Sequence, residues 1–257
     1  MQPNILALDF DGVICDGLIE YFASTKRAYQ QIWNEQINDD LAPRFYKLRP
    51  VIETGWEMPM LLRALVLGIE EAEILDDWRS LALKLLESEG LDKQSVVQKL
   101  DGVRDSWIAN DLDGWLGLHR FYPGVIERLR QIVTEVELYI VTTKEGRFVK
   151  KLLEQEGVEL KRDRIIGKES KRPKYETLRI IRDAHQTSDL NIYFVEDRLK
   201  ALQQVAQQSD LDFVSLFLAD WGYNLKRDRL IATQDPRIEL LSLQQFNREF
   251  DTWEIKS

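Results

Sequence analysis

The sequence predicts an α/β protein with a doubly wound parallel sheet and an all-helical domain inserted after the first strand. Short apolar runs typical of buried parallel strands, with stretches of helical spacing between them, predict the sheet. The insertion is predicted because residues 17 to 118 carry apolar residues at helical intervals and no strand pattern.

The first strand is the apolar run from Ile5 to Leu8, which ends in Asp9 and Asp11. Residues i and i+2 of a strand point to the same side, so these two carboxylates are expected to be neighbours. They repel each other unless a cation lies between them, which suggests a metal site. The alternative is a turn through Gly12 in which one aspartate caps the turn and the other is solvated.

The insertion follows this strand and is predicted to consist of helices only. Two apolar stripes step by three or four residues: Ile74, Trp78, Leu81 and Leu85, and then Val96, Leu100, Val103 and Trp107. The segment "FYPGV", residues 121 to 125, is expected to return the chain to the sheet with Pro123 at a helix start. The predicted domains are therefore a core of residues 1–16 and 119–257 and a helical domain of residues 17–118.

The remaining strands and helices alternate along the second half of the chain. Strands are predicted at 138–141, 165–166, 192–195 and 213–218, and helices at 146–156, 175–184 and 198–207. This alternation is typical of a parallel sheet with crossover helices.

Composition excludes several classes of partner. The chain has 257 residues and a formal net charge of −9, so its field should repel nucleic acid and anionic membranes. The single cysteine, Cys15, cannot pair within the chain and is expected to be a small buried thiol in a reducing compartment. With no basic leader and no run of membrane-spanning length, we expect a soluble cytoplasmic protein, either a monomer or a homodimer.

The ends of the predicted strands carry the polar residues that suggest chemistry. Ligands of doubly wound sheets bind beyond the carboxyl ends of the strands. The second strand ends in Thr142 and Thr143, and the fourth ends in Glu196 and Asp197. Between these strands, "GKESKRPKYETL" places lysines at the start of a helix.

This set of residues fits phosphoryl transfer. Mg²⁺ takes a few carboxylate oxygens, which Asp9 and Asp197 can supply, and substrate phosphate as a further ligand. A carboxylate can attack phosphorus to give an aspartyl phosphate, and a second carboxylate can exchange protons with the leaving alcohol and with water. Thr142 can donate to a phosphoryl oxygen, while a lysine offsets the developing charge.

At this point the sequence resembles a known family. The ordered motifs "DFDGV", "IVTTK", "RPKYETL" and "YFVEDR" resemble the four motifs of the haloacid dehalogenase superfamily, over nearly the whole chain. "FYPGV" and "ADWGYN" resemble elements of members that carry a helical cap between the first two motifs. The resemblance implies a Rossmann-like core with a helical cap.

The resemblance also implies roles for single residues. Asp9 would be the nucleophile and a Mg²⁺ ligand, and Asp11 the general acid and base, with its backbone carbonyl also on the metal. Thr142 would bind the phosphoryl group. Asp197 would complete the metal site, and Glu196 would be a second ligand or a support for it, since "VEDRLKAL" offers only an adjacent acidic pair.

Two features of the chain bear on its likeness to this family. Lys174 is the favoured lysine of the third motif because it opens a helix after Pro173, and Lys171 is the alternative. Members that cleave carbon–halogen bonds lack the second aspartate, whereas Asp11 is present here. The sequence therefore favours a phosphohydrolase, with a phosphate-moving mutase as a close alternative.

Substrate contacts are predicted for Thr143 and for the loop "RPVIETGWEMP", residues 49 to 59, through Arg49, Glu53 or Trp56. The predicted function is Mg²⁺-dependent hydrolysis of a small phosphorylated metabolite through an aspartyl phosphate on Asp9. The rival from another class is a binding or regulatory protein that keeps the fold without turnover.

Overall fold

The computed structural model describes residues 2–185 and 190–253, and the chain divides into two compact units. The first comprises Met1–Asp16 and Arg120–Ser257, and the second comprises Gly17–His119. No helix among the described residues is both long enough and apolar enough to cross a membrane.

Eight strands lie in the described part of the first unit. They are β1 Ile5–Leu8, β2 Cys15–Asp16, β3 Arg120–Phe121, β4 Glu137–Val141, β5 Ile165–Ile166, β6 Ile192–Glu196, β7 Val214–Ala219 and β8 Ile238–Leu241. Six of them form a sheet in the order β5-β4-β1-β6-β7-β8, with every neighbouring pair parallel. The other two, β2 and β3, form a short antiparallel pair.

The structure describes thirteen α-helices in these residues, and the regular elements of the second unit are all helical. The helices are α1 Leu18–Trp33, α2 Ala42–Leu48, α3 Glu57–Val66, α4 Glu71–Asp76, α5 Trp78–Ser88, α6 Lys93–Asn110, α7 Leu112–Leu116, α8 Val125–Glu135, α9 Gly146–Gln155, α10 Lys174–Ala184, α11 Leu199–Ala206, α12 Lys226–Gln234 and α13 Leu243–Phe246.

The core of the first unit covers both faces of the sheet. Alternate strand residues such as Ala7 and Phe194 pack with α10, α11 and α12 on one face. On the other face the rings of Tyr193 and Phe217 pack against Trp253. Because both faces are covered, the four residues of β1 are all buried, which explains their unbroken apolar sequence.

The register of the central strands brings their carboxyl ends together. Leu8 of β1 pairs with Ile140 of β4 on one side and with Val195 of β6 on the other. The residues that follow these three positions therefore lie at one edge of the sheet, although they are far apart along the chain.

Most predicted elements of the core are present, with small differences at their ends. The four predicted strands after residue 120 correspond to β4, β5, β6 and β7, and the three predicted helices to α9, α10 and α11. The edge strand β8 was not predicted, because the run "IELL" is short and interrupted by Glu239. The return helix α8 begins at Val125, with Pro123 two residues before it.

One predicted apolar stripe belongs to two helices. The helical conformation is interrupted at Asp77, between α4 and α5. The Asp77 side chain caps α5 by accepting a hydrogen bond from the backbone N–H of Ser80. Ile74 and Trp78 are both buried, so the three- and four-residue spacing marks the core face on either side of the break. Spacing alone does not reveal such a break, because the capping aspartate lies between the apolar positions.

Candidate active site

The carboxyl ends of β1, β4 and β6 gather four of the predicted site residues at one edge of the sheet. The backbone N–H of Asp9 donates to the carbonyl of Val195 at 2.9 Å, and the N–H of Thr142 donates to the carbonyl of Ile166 at 3.0 Å. Asp9 and Thr142 are both buried, as are Glu196 and Asp197. Their positions are therefore set by the hydrogen bonding of the sheet itself.

Three of these acids form a buried carboxylate cluster. Carboxylate oxygens of Asp9, Glu196 and Asp197 all lie within 4.8 Å of one another. Burial, and then the charge of Glu196, raise the pKa of Asp9 to about 7. Burial is also the main cause that raises the pKa of Glu196 to about 7 and the pKa of Asp197 above its usual value. The cluster thus favours a bound cation or a bound proton.

Lys174 supplies one positive charge to this cluster. It is the first residue of α10, directly after Pro173, and its Nζ lies 2.9 Å from Oδ1 of Asp9 and 2.5 Å from Oε2 of Glu196. Burial acts to lower the pKa of Lys174, but the charges of Asp9 and Glu196 outweigh it and raise that pKa. The alternative lysine, Lys171, is exposed and has a left-handed backbone with φ of 52°.

The second acid of the β6 end, Asp197, is held by the segment that follows β7. The backbone N–H of Tyr223 donates to its Oδ2 at 2.7 Å, and the Asn224 side chain donates to its carbonyl at 3.1 Å. Glycines make this close approach possible. A Cβ on Gly12, whose φ is +87°, would lie 2.1 Å from Oδ2 of Asp197, and one on Gly222 would lie 2.3 Å from Asp197 Cβ.

The cluster fits a hard divalent cation. Oδ1 of Asp197 is buried and has no hydrogen-bond partner among the described residues, which is costly for a carboxylate oxygen without a ligand. The three carboxylates and the ammonium of Lys174 together carry a net charge of −2 when all four groups are ionised. Buried carboxylate oxygens of this kind are the ligands that Mg²⁺ prefers.

Asp11 lies beside the cluster and has its own lysine. The Nζ of Lys144 lies 3.2 Å from Oδ1 and 3.3 Å from Oδ2 of Asp11. The backbone N–H of Lys144 also donates to Oγ1 of Thr142 at 3.2 Å, whereas the neighbouring Thr143 is exposed. No role was predicted for Lys144, although it directly follows the two threonines at the strand end. Its position directly after these threonines is the sequence feature that could have identified it as a site residue.

The other predicted substrate contacts lie in the second unit. Arg49 lies over the ring of Tyr21 at 4.8 Å and donates to the carbonyl of Ile52. Glu53 is exposed and lies near Arg79. Trp56, in the turn before α3, is buried. Contact of these residues with a substrate stays a prediction.

Among comparisons with known proteins, those of structure find similar folds, whereas those of sequence find no match. No family model matches the chain, and no curated protein matches it. A haloacid dehalogenase-like hydrolase from Streptococcus pneumoniae is 13% identical, with a TM-score of 0.58 over 94% of each chain. A predicted phosphatase from Clostridium acetobutylicum is 14% identical, with a TM-score of 0.58 over 96% of this chain and 97% of its own.

A third solved structure, a proposed beta-phosphoglucomutase from Thermotoga maritima, is 15% identical, with a TM-score of 0.52 over 96% of this chain and 97% of its own. At such identities the likeness establishes a shared fold. The chain therefore has the α/β fold of haloacid dehalogenase-like hydrolases, as its motifs predicted.

Proposed function

We propose that this protein is a Mg²⁺-dependent phosphatase of the haloacid dehalogenase superfamily that hydrolyses a small phosphorylated metabolite. The observation that carries the proposal is the buried cluster of Asp9, Glu196 and Asp197 in contact with Lys174, at the sheet edge where ligands of this fold class bind. The shared fold of solved structures described as phosphatases supports it.

The metal would be held by carboxylate oxygens of Asp9 and Asp197, with the backbone carbonyl of Asp11. Oδ1 of Asp197 has no hydrogen-bond partner in the described part of the chain, which favours this residue as the direct ligand. Glu196 already accepts hydrogen bonds from Lys174 and from the backbone N–H of Arg198, so it is better suited to support the site. Bound Mg²⁺ would neutralise charge on the phosphoryl group and hold it near the nucleophile.

The reaction has two half-reactions that use the two aspartates. A carboxylate oxygen of Asp9 attacks phosphorus, the bond from phosphorus to the ester oxygen breaks, and the Asp11 carboxyl group gives its proton to the departing oxygen. The Asp11 carboxylate then takes a proton from water as the water oxygen attacks phosphorus. The bond to Asp9 breaks, inorganic phosphate is released, and both aspartates return to their starting forms.

Two further residues act on the phosphoryl oxygens. Oγ1 of Thr142 accepts the backbone hydrogen bond of Lys144, so its own proton can be donated to a phosphoryl oxygen. Lys174 touches Asp9 and would offset the negative charge that builds up during transfer. Thr143, Arg49, Glu53 and Trp56 are proposed to contact the rest of the substrate, with the helical unit acting as a cap that excludes water.

A phosphate-moving mutase of the same superfamily shares the first half-reaction. It differs because the phosphoryl group passes from Asp9 to a second sugar hydroxyl and not to water. A binding protein would keep the cluster without turnover. The intact set of Asp9, Asp11, Thr142 and Asp197 favours an enzyme over a binding protein.

The test is phosphate release from 4-nitrophenyl phosphate and a panel of sugar phosphates and phosphoglycolate, with Mg²⁺ and with EDTA. We expect Mg²⁺-dependent release that Asp9→Asn abolishes. The matched control is Asp183→Asn, which makes the same change at an exposed side chain. A folded wild type that releases no phosphate from any compound contradicts the proposal, and movement of phosphate between hydroxyls without release identifies a mutase.

A further inference from the structure

The active-site edge contains a second part-buried lysine whose side chain the reaction described above does not use. Lys174 contacts Asp9 and Glu196, whereas Lys144 contacts Asp11. The side chain of Lys144 is 8% exposed and that of Asp11 is 20% exposed. Each aspartate of "DFDGV" therefore has its own lysine.

The contact between Lys144 and Asp11 restricts the Asp11 side chain. The Nζ lies at nearly equal distances, 3.2 and 3.3 Å, from the two carboxylate oxygens. Separating this part-buried ion pair costs free energy, so each side chain limits the rotamers of the other. Rotation of the Asp11 carboxylate away from Lys144 would break both of these contacts.

The backbone of Lys144 is itself fixed from two sides. Its N–H donates to Oγ1 of Thr142 at 3.2 Å, and its carbonyl accepts from the N–H of Lys168 at 2.9 Å. A Cβ on Gly167 would lie 2.7 Å from that carbonyl oxygen, so the two segments are in close contact. Lys144 thus links Asp11 to Thr142 through a rigid segment of backbone.

We propose that Lys144 is a positioning residue that holds the Asp11 carboxyl group in place for proton transfer to the leaving group. The proposal rests on the proposed phosphatase function. In the first half-reaction the proton passes from Asp11 to the departing oxygen and leaves a carboxylate. The Nζ of Lys144 lies beside both oxygens of that carboxylate.

The distinguishing measurement is the dependence of rate on the leaving group. An alkoxide needs a proton as it departs, whereas 4-nitrophenolate leaves without one. We expect Lys144→Met to lower kcat/KM by about 10- to 100-fold for alkyl phosphates and by less than about 3-fold for 4-nitrophenyl phosphate. The alkyl substrate is whichever of glycerol 2-phosphate, glucose 6-phosphate and phosphoglycolate the wild type hydrolyses fastest.

Four further variants complete the kinetic test. Asp11→Asn should show the same selectivity for the leaving group, and the double variant should lose no more than Asp11→Asn alone, because both changes act on one group. Lys144→Arg should recover part of the alkyl phosphatase activity. Lys150→Met, the same change on the exposed face of α9, should behave as wild type.

Several results would overturn the proposal. An equal loss on alkyl and aryl substrates would mean that Lys144 binds the phosphoryl group or supports the fold, and no loss on either would remove its role. Additive losses in the double variant would show that it does not act through Asp11.

A measurement that needs no activity separates this proposal from the proposed function. If the ion pair forms, the urea midpoint of the double variant lies closer to wild type than the sum of the two single shifts. A wild type that releases no phosphate overturns the phosphatase function and the positioning role with it. An active wild type with additive midpoint shifts overturns the Lys144 proposal alone.

Discussion

Asp197 illustrates how single residues prepare the candidate metal site. Oδ2 of Asp197 accepts the backbone N–H of Tyr223, while Oδ1 stays buried without a hydrogen-bond partner in the part of the chain that the structure describes. Gly12 and Gly222 lie against the same side chain, where no larger residue fits. The carboxylate is therefore oriented before any ligand binds, with one oxygen left to coordinate.

This packing predicts the effect of Gly222→Ala. The new Cβ would lie 2.3 Å from Asp197 Cβ and 2.4 Å from the carbonyl of Gly12, so the backbone must shift. We expect the free energy of unfolding to fall by about 2–3 kcal/mol and the affinity for Mg²⁺ to fall as well. Urea unfolding with EDTA measures the first effect, and the Mg²⁺ dependence of the midpoint measures the second.

Gly102→Ala is the matched control for this substitution. Apart from the neighbouring backbone of helix α6 itself, no described atom lies within 4 Å of a Cβ at Gly102. Alanine is expected to stabilise the helix there by about 0.5–1 kcal/mol. Equal effects of the two substitutions would contradict the steric explanation.

At the scale of elements, the sequence predicted the site residues that lie at the ends of strands and the starts of helices. Asp9, Thr142 and the acids of β6 converge because parallel strands carry their carboxyl ends to one edge, and apolar runs locate those ends. The contacts of Lys144 and of the Tyr223 backbone depend on the path of connecting segments, which has no periodic signature. The edge strand β8 was missed for a similar reason, since its short run is only half buried.

The start of helix α10 places one of the two candidate lysines beside Asp9. Lys174 occupies the first helical position and reaches Asp9, whereas Lys171 is exposed. We expect Lys174→Met to lower kcat/KM for 4-nitrophenyl phosphate by at least about 100-fold, because charge on the transferring group loses its counter-charge. Lys171→Met should change it by less than about 3-fold, since an exposed charge contributes little. Comparable losses in both variants would contradict this assignment.

At the scale of the whole molecule, the buried carboxylates that we propose to bind Mg²⁺ are expected to destabilise the folded state when no metal is bound. The chain has a formal net charge of −9, and the fold brings three carboxylates into one buried cluster. The folded state binds protons at Asp9 and Glu196 up to a pH of about 7, well above the ordinary values of 3.8 and 4.5. Folding without a metal therefore becomes less favourable as these protons are lost.

The link between proton binding and folding predicts how the free energy of unfolding depends on pH. A carboxyl group whose pKa is raised by folding contributes stability below its unfolded pKa and loses that stability as the pH rises through its folded pKa. In EDTA we expect the free energy of unfolding of the wild type to be about 1–3 kcal/mol lower at pH 8 than at pH 5. Mg²⁺ should restore it at pH 8 and have little effect at pH 5, where protons compete for the same oxygens.

Asp9→Asn isolates the contribution of the cluster. The amide removes one titrating charge. It also removes the electrostatic repulsion between the carboxylates of Asp9 and Glu196. In EDTA the variant should show a shallower fall in stability between pH 5 and pH 8, and at pH 8 it should be more stable than the wild type. Thermal unfolding of both proteins across this range, with EDTA and with Mg²⁺, measures the difference. Parallel pH profiles for the two proteins would mean that the cluster is not the source of the instability, because every other titrating group is common to both.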